Sequence, residues 1–331
     1  MTTKELAQYL LQALNMGLGS IMQGETSFTN AFHTEIMNDG FLFIPRLPAG
    51  YIIDDELYQK IFLIANAALY PRFTLLKQNS AYFVALDTDD IHVQRGLFFP
   101  WKIGISERLV ISDLEEFVGN QKGNLIPIMK NLTLDYNKVT SIAIAGNSGS
   151  GKSYALTYFM TMLKNISDLI IVDPKFDTPS RWARENGFPV LHPQRNRSKS
   201  DFVSEINENL SSCLNLIQER QESLYDNPDQ EFKHLTIVID EVLALSEGVN
   251  KTIKESFFSL LSQIALLGRS TSVHTILVSQ RLDHTAIPVS VREQLNVLIQ
   301  IGNINKNTTQ FLFPDLDPQG IVTVSYTHLR A

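Results

Sequence analysis

The 331-residue sequence contains a single cysteine and no long hydrophobic run. Cys213 has no partner within the chain, so an internal disulfide is excluded, and it lies in no CxxC motif or Cys/His cluster typical of metal or redox sites. The most apolar windows, such as residues 61–70, are only half of the ~20 residues that a membrane-spanning helix needs. We therefore expect a cytoplasmic protein without a transmembrane segment, which a partner protein could recruit to the membrane.

The sequence also lacks a secretory signal at its N-terminus and an excess of positive charge. The formal net charge is −7, which argues against a simple DNA-coating protein. It does not exclude a ring-shaped motor, in which only the loops lining the channel need to be basic. With 44% hydrophobic and 19% charged residues, the composition is that of a globular protein, and the length suggests about two domains.

Two patterns of secondary structure divide the sequence. Residues 1–122 combine amphipathic helices near 3–18 and 52–69 with short strands rich in β-branched and aromatic residues. From residue 123 onward, apolar strands alternate with helices, which predicts a mainly parallel sheet covered on both faces. We therefore predict a small α+β domain of unknown role over 1–122 and an α/β domain over 123–323. Strands of the second domain are expected at 141–145, 169–172, 235–239, 274–279 and 297–301.

The final segment, residues 324–331, differs in origin from the rest. Reverse translation of VSYTHLRA as GTC-TCT-TAT-ACA-CAT-CTC-CGA-GCC reproduces one reading frame of a common sequencing-library adapter. We therefore expect this segment to be non-native and the second domain to lack its natural C-terminus. Native codons continuing through the intact locus would contradict this expectation.

A glycine-rich motif follows the strand at 141–145 and precedes a predicted helix. It reads GNSGSGKS and matches G-x-x-x-x-G-K-[ST] in full. Glycines let the backbone curl so that its N–H groups face a phosphate, and the helix adds the positive end of its dipole. Lys152 would neutralise the β- and γ-phosphates of ATP, and Ser153 would supply a hydroxyl oxygen to Mg²⁺. A Gly/Ser-rich surface turn is the alternative. The expected nucleotide-binding residues are Gly146, Asn147, Ser148, Gly149, Ser150, Gly151, Lys152 and Ser153.

Polar residues also follow two further strands. After LTIVI, Asp240 would orient Mg²⁺ and Glu241 would be the general base that polarises the attacking water. The alternative is a strand that meets solvent at two ordinary acids. Gln280 follows the strand at 274–279 and could hydrogen-bond the γ-phosphate or the water, although a plain polar strand end is equally compatible with the pattern.

The order of these motifs resembles the motor domain of the FtsK/SpoIIIE (HerA/FtsK-type) family of P-loop DNA translocases. The chain reads AIAGNSGSGKS, LIIVDPK, LTIVIDE and LLGRSTSVHTILVSQR, over about residues 125–305. The P-loop alone is generic, whereas the DPK sequence and the GR…H…QR block are specific to the resemblance. Within the family, the motors of conjugative elements, which act as coupling ATPases, are closest in size and style.

This resemblance implies a RecA-like fold, ATP with Mg²⁺, and a homo-oligomer that forms a hexameric ring around double-stranded DNA. It also implies partner proteins at the membrane or in the relaxosome. Arg269 matches a family arginine that could reach the γ-phosphate of the neighbouring subunit as a finger. Because Ser-Thr-Ser replaces the family's Ala-Ala-Gly and Leu282 replaces a proline, Arg281 stays a rival for this role. A cation that interacts with a helix C-terminus is the alternative for Arg269.

Three functions stay open at this point. An ATP-driven DNA translocase in conjugative transfer or in chromosome or plasmid segregation is the prediction. An FtsK-type ATPase that drives protein secretion and a nucleotide-gated assembly protein are the alternatives. His234 and His274 show no metal-ligand spacing, so we expect structural roles for them. A basic cluster could contact DNA phosphates or form an ordinary solvated surface; it comprises Arg181, Arg184, Arg195, Arg197 and Lys199.

Overall fold

The computed structural model describes residues 2–19, 31–49, 52–282, 287–310, 312–314 and 316–321. The chain divides into two compact units, one comprising Met1–Arg108 with the segment after Pro314, and the other Leu109–Pro314. The boundary after Arg108 comes earlier in the chain than the one expected between residues 122 and 123. The reason is that helix α3 (Leu114–Gly119) buries Val118 in the core of the second unit. The division into functional domains stays a prediction. The segment expected to be non-native lies outside the described residues.

The first unit combines two helices with an antiparallel sheet, as the α+β prediction requires. The strand order is β1-β2-β5-β3, and β4 also pairs with β5. Strands β1 and β2 were not expected from the sequence. Their core partners include Leu10 and Leu14 of α1 and Tyr58 and Phe62 of α2, all of which are fully buried or nearly so. The elements are α1 (Thr3–Gly19), β1 (Phe32–Ile36), β2 (Gly40–Pro45), α2 (Asp55–Leu69), β3 (Phe73–Leu75), β4 (Phe83–Ala85) and β5 (Arg95–Ile103).

The second unit begins with α3 and a β6–β7 hairpin, followed by alternating strands and helices. Its six-stranded sheet has the order β10-β9-β11-β12-β8-β13, and all of its pairings are parallel. The elements are β6 (Leu125–Met129), β7 (Leu132–Asp135), β8 (Ser141–Gly146), α4 (Lys152–Leu163), β9 (Ser167–Val172), α5 (Thr178–Asn186), β10 (Val190–Leu191), α6 (Lys199–Asp226), β11 (His234–Ile239), α7 (Val242–Ser246), α8 (Lys251–Leu267), β12 (Val273–Ser279), α9 (Val289–Arg292), β13 (Val297–Ile301) and α10 (Lys306–Thr309).

Helices cover both faces of this sheet because its central strands are apolar on both sides. Along β8, Ile142 and Ile144 face a cluster that includes residues of α4 and α5. Ala143 and Ala145, which alternate with them, face a second cluster that includes residues of α6 and α8. The predicted RecA-like P-loop NTPase fold is thereby confirmed.

The strand order determines which loops meet. In the parallel register, Ile239 of β11 lies opposite Leu277 of β12, and Leu277 lies opposite Ala143 of β8. Gly146 at the end of β8 lies opposite Ile301 of β13. Because parallel strands place their carboxyl ends at one edge, the segments that follow β8, β12 and β11 lie side by side along that edge. Among the described residues, no helix is long and apolar enough to cross a membrane.

Candidate nucleotide site

The loop between β8 and α4 has a curled backbone that only glycine adopts readily. Gly149 and Gly151 have φ values of 75° and 101°, in the left-handed region, and Gly151 caps the N-terminus of α4. A Cβ on Gly146 would lie 2.5 Å from Oγ of Ser150 and 2.6 Å from the carbonyl oxygen of Ile301. The loop therefore folds tightly against the end of β13, and its shape depends on glycine at these positions.

Lys152 is buried and reaches back over this loop. Its Nζ donates hydrogen bonds to the carbonyl oxygens of Gly146, at 2.7 Å, and Asn147, at 3.1 Å. Burial lowers the pKa of Lys152, whereas the negative charges of Glu241 and Asp240 raise it. Within the described residues, the buried Oγ of Ser150 has no hydrogen-bond partner. An ammonium and an unsatisfied hydroxyl beside a curled glycine loop fit a phosphate group.

The two acids after β11 follow the same edge of the sheet as the loop that precedes this lysine, and both carboxylates raise its pKa. Burial, together with the neighbouring carboxylates of Glu241 and Asp173, raises the pKa of Asp240 to about 6. Glu241 is buried and has a left-handed backbone, with φ 46° and ψ 55°. Such a conformation is costly for a residue with a side chain and often occurs at functional sites.

The two charged residues of the DPK segment after β9, Asp173 and Lys175, have different roles. Asp173 is completely buried, and its carboxylate accepts hydrogen bonds from four backbone N–H groups, those of residues 175, 176, 177 and 180, and from the hydroxyl of Ser180. It therefore shapes the turn that leads into α5. Nζ of Lys175 donates to Oε1 of Glu241 at 2.6 Å. Sequence analysis missed this ion pair, although a polar residue after each of two adjacent strands could have suggested it.

Gln280 follows β12, the strand between β8 and β11. It lines a cleft together with Asn147 of the glycine-rich loop. Three further polar residues that line this cleft were not expected from the sequence: Gln300, Asn307 and Thr308. Of these three, only Gln300 could have been noticed in the sequence, because it is a polar residue within an apolar strand. That strand, β13, ends at the edge of the sheet where the glycine-rich loop begins.

The structure separates the two candidate finger arginines. Arg281 lines the cleft beside Gln280. Arg269 is exposed in the turn between α8 and β12, at the amino edge of the sheet. The length of β12, at about 3.3 Å per residue, puts this turn roughly 20 Å from the glycine-rich loop. Within one protomer, Arg269 is therefore remote from the nucleotide site.

The donors present suit Mg²⁺ that is held together with a triphosphate. Within the ranges that the structure describes, no group of three or more His, Cys, Asp or Glu side chains could hold a metal ion. Mg²⁺ at nucleotide sites needs only one or two protein ligands, because phosphates and water complete its octahedron. The exposed hydroxyl of Ser153 and the carboxylate of Asp240 are oxygen donors of the required kind.

Comparison with known proteins supports the family resemblance. No family model matches the chain. Over 205 residues, or 59% of its length, the chain is 22% identical to the FtsK domain-containing protein YdcQ of Bacillus subtilis strain 168. This relative confirms the resemblance to FtsK-type proteins. The match covers 41% of YdcQ, so the chain corresponds to less than half of that protein.

Two solved structures show similar folds at low identity. The pCW3 conjugation coupling protein TcpA, in a monomer form with ATPγS, gives a TM-score of 0.48 at 16% identity, covering 96% of this chain and 88% of that one. The cytoplasmic domain of the type VII secretion ATPase EccC from Thermomonospora curvata gives a TM-score of 0.42 at 21% identity, covering 57% of this chain and 24% of that one.

Proposed function

We propose that this chain is an ATP-hydrolysing motor that moves double-stranded DNA, in conjugative transfer or in chromosome or plasmid segregation. The observation that supports it is the convergence of three motifs at one edge of a parallel sheet. The glycine-rich loop, Gln280 and the Asp240–Glu241 pair follow three adjacent strands, β8, β12 and β11. The FtsK domain of the relative YdcQ supports the choice of motor over other P-loop activities.

The glycine-rich loop and Lys152 bind the triphosphate. Backbone N–H groups of the loop and the start of α4 point at the phosphates, and the helix dipole favours their negative charge. The ammonium of Lys152 exchanges the carbonyls of Gly146 and Asn147 for phosphate oxygens, since a charged acceptor forms the stronger hydrogen bond. Ser153 and Asp240 are the residues that would hold Mg²⁺, which would supply positive charge against the phosphates.

Glu241 and Gln280 act on the water that attacks the γ-phosphate. The carboxylate of Glu241 accepts a proton from this water, and the low exposure of Glu241 strengthens its electrostatic effect. The amide of Gln280 hydrogen-bonds the γ-phosphate or the water from the intervening strand. In a hexameric ring around DNA, Arg269 of one subunit reaches the nucleotide of the next, and partners at the membrane or relaxosome recruit the ring.

Phosphate release by the full chain, with and without duplex DNA, tests this function. We expect wild-type turnover to rise with DNA. Lys152→Ala should weaken ATP binding, whereas Glu241→Gln should retain binding and lose about 10²- to 10⁴-fold in kcat, the typical contribution of a general base. Lys251→Ala is the matched lysine control, because this side chain is 89% exposed and lies in a loose surface pair with Glu255 at 3.8 Å.

Three outcomes would contradict the proposal. If Lys152→Ala and Glu241→Gln hydrolysed ATP as fast as the wild type, the assigned site would be wrong. Stimulation by a secreted polypeptide, with none by DNA, would assign the motor to protein secretion. Nucleotide-dependent assembly without phosphate release would identify a nucleotide-gated assembly protein.

A further inference from the structure

Lys175 forms an ion pair with the residue assigned as general base. Its Nζ lies 2.6 Å from Oε1 of Glu241. The two side chains differ in accessibility: that of Glu241 is 10% exposed, whereas that of Lys175 is 51% exposed. The pair is therefore buried on the side of the base and open to solvent on the side of the lysine.

The fold holds Lys175 beside the end of β11. The backbone N–H of Asp240 donates to the carbonyl of Val172 at 3.0 Å, which continues the β9–β11 pairing up to the acids. Asp173 fixes the next turn by accepting hydrogen bonds from the N–H groups of Lys175 and Phe176. The backbone from which Lys175 extends is thus held by hydrogen bonds to the completely buried carboxylate of Asp173.

This contact restrains a general base. A carboxylate activates water only when a lone pair is free to accept the proton. The ammonium of Lys175 occupies Oε1, so this oxygen is not free to accept a proton from water while the pair is intact.

The segments that follow Lys175 in the chain carry exposed aromatic and basic side chains. Phe176 is 60% exposed and stacks on His192, with ring centroids 3.9 Å apart. This contact joins the turn after β9 to the loop after β10. Arg184 on α5 and Arg195 in the loop after β10 are also exposed. Aromatic rings among cations at a surface are typical of contacts with nucleic acid.

We propose that Lys175 is a positioning residue that restrains Glu241 in the resting protein, and that the phosphodiester backbone of DNA draws Lys175 away and thereby raises ATP turnover. This inference rests on the proposed function, since it concerns the regulation of the same site. It explains how a motor avoids hydrolysing ATP without cargo: the ammonium that restrains the base is the group that an incoming phosphate contacts.

Lys175→Met tests the restraint, because it retains an unbranched side chain and removes the charge. We expect the basal kcat without DNA to rise about fivefold, equivalent to ~1 kcal/mol, while KM for ATP stays unchanged. The further stimulation by duplex DNA should fall by a similar factor. Lys175→Arg retains a cation and should restore most of the restraint. The double variant Lys175→Met/Glu241→Gln should be as inactive as Glu241→Gln, since the gain acts through the base.

Lys233→Met is the matched control. Lys233 pairs with Asp168 at 2.5 Å, between the amino ends of β11 and β9, whereas Lys175 and Glu241 follow the carboxyl ends of these strands. Removing this lysine removes an ion pair between the same two strands far from the nucleotide site. We expect basal and DNA-stimulated rates within about twofold of wild type, because an exposed pair contributes little.

The inference and the proposed function fail in different ways. An unchanged or reduced basal kcat in Lys175→Met, with ATP binding and thermal unfolding like wild type, would overturn the restraint. A raised basal kcat in Lys175→Met, together with a wild type that DNA does not stimulate, would support the restraint and overturn the role of DNA. Stimulation by poly-glutamate and not by DNA would overturn the assignment of the releasing anion to a phosphodiester backbone.

Discussion

At the scale of single residues, two histidines on adjacent strands form a buried chain of hydrogen bonds. Nδ1 of His274 lies 2.6 Å from the carbonyl of Val139, so this nitrogen carries the proton and donates. Nε2 of His274 then accepts from Nδ1 of His234 at 2.8 Å. Nε2 of His234 then accepts from the amide of Asn124 at 3.1 Å, and Oδ1 of Asn137 lies 3.2 Å from the same nitrogen. Both rings are neutral in this arrangement, in line with the structural roles expected from the sequence.

The buried hydrogen bonds between the two histidines predict a loss of stability in mild acid. Burial, together with the neighbouring His234 and Arg220, lowers the pKa of His274 to about 4. Because the pKa in the unfolded chain is about 6.5, the neutral ring stabilises the fold above that pH, and the contribution is lost as pH falls towards 4. The full shift corresponds to on the order of 3 kcal/mol. We therefore expect urea unfolding of the second unit to require less urea at pH 5 than at pH 7.5.

Fluorescence of Trp182 can follow this unit alone, since the chain has two tryptophans and the second, Trp101, can be replaced by Phe. Trp182 is buried in the core of the second unit. The control is His274→Gln in the same background, which removes the titrating ring. The explanation is wrong if stability does not change between the two pH values, or if His274→Gln retains the full pH dependence.

At the scale of elements, the turn from α8 to β12 depends on the close approach of two backbone segments. The N–H of Gly268 donates to the carbonyl of Ile264 at 2.8 Å, and the N–H of Val273 donates to the carbonyl of Gly268 at 3.0 Å. A Cβ at position 268 would lie 2.2 Å from the carbonyl oxygen of Val273. The glycine of the GR…H…QR block is therefore required by packing at this turn, as distinct from any contact with nucleotide.

Gly268→Ala should lower the free energy of unfolding of the second unit by about 2–3 kcal/mol, because the clash is with backbone that cannot rotate away. The same denaturation assay measures the change. Gly119→Ala at the end of α3 is the matched control, since a Cβ there meets nothing within 4 Å. We expect its effect on the free energy of unfolding to be within about 1 kcal/mol, because it arises through the unfolded chain. Equal effects of the two substitutions would contradict the packing argument.

At the scale of the whole molecule, the location of Arg269 limits what it can do. It is exposed at the amino edge of the sheet, whereas the glycine-rich loop and the acids lie at the carboxyl edge. An arginine so placed cannot contact the nucleotide of its own protomer. If it takes part in hydrolysis, it acts across a subunit interface, so the sites of an oligomer depend on one another.

Subunit mixing tests this arrangement. Arg269→Ala and Glu241→Gln should each lose most of the turnover alone while binding ATP. In mixed rings, some interfaces combine an intact Glu241 with an intact Arg269 from the neighbouring subunit, so mixing the two inactive variants should restore measurable phosphate release. Arg281→Ala mixed with Glu241→Gln is the comparison, because Arg281 lines the cleft of its own protomer. Restoration with Arg281→Ala and not with Arg269→Ala would assign the finger to Arg281.

The sequence by itself determined the fold class and predicted the glycine-rich loop as a phosphate site. Tight turns require glycine, phosphate requires cations and N–H groups, and apolar strands alternating with helices require a parallel sheet; each of these signals is local. The five expected strands of the second unit all occur, with shifts of no more than two residues at their ends. Strands β1, β2, β6 and β7 and the short β10 escaped prediction.

Only the tertiary structure decided the strand order and the pairs that follow from it. The insertion of β12 between β8 and β11 brings Gln280 to the candidate site, and the pairing of β9 with β11 brings Lys175 to Glu241 across 66 positions of sequence. The same order places Arg269 at the far edge. These contacts depend on which apolar faces pack together, a property of the complete core that no local pattern of residues encodes.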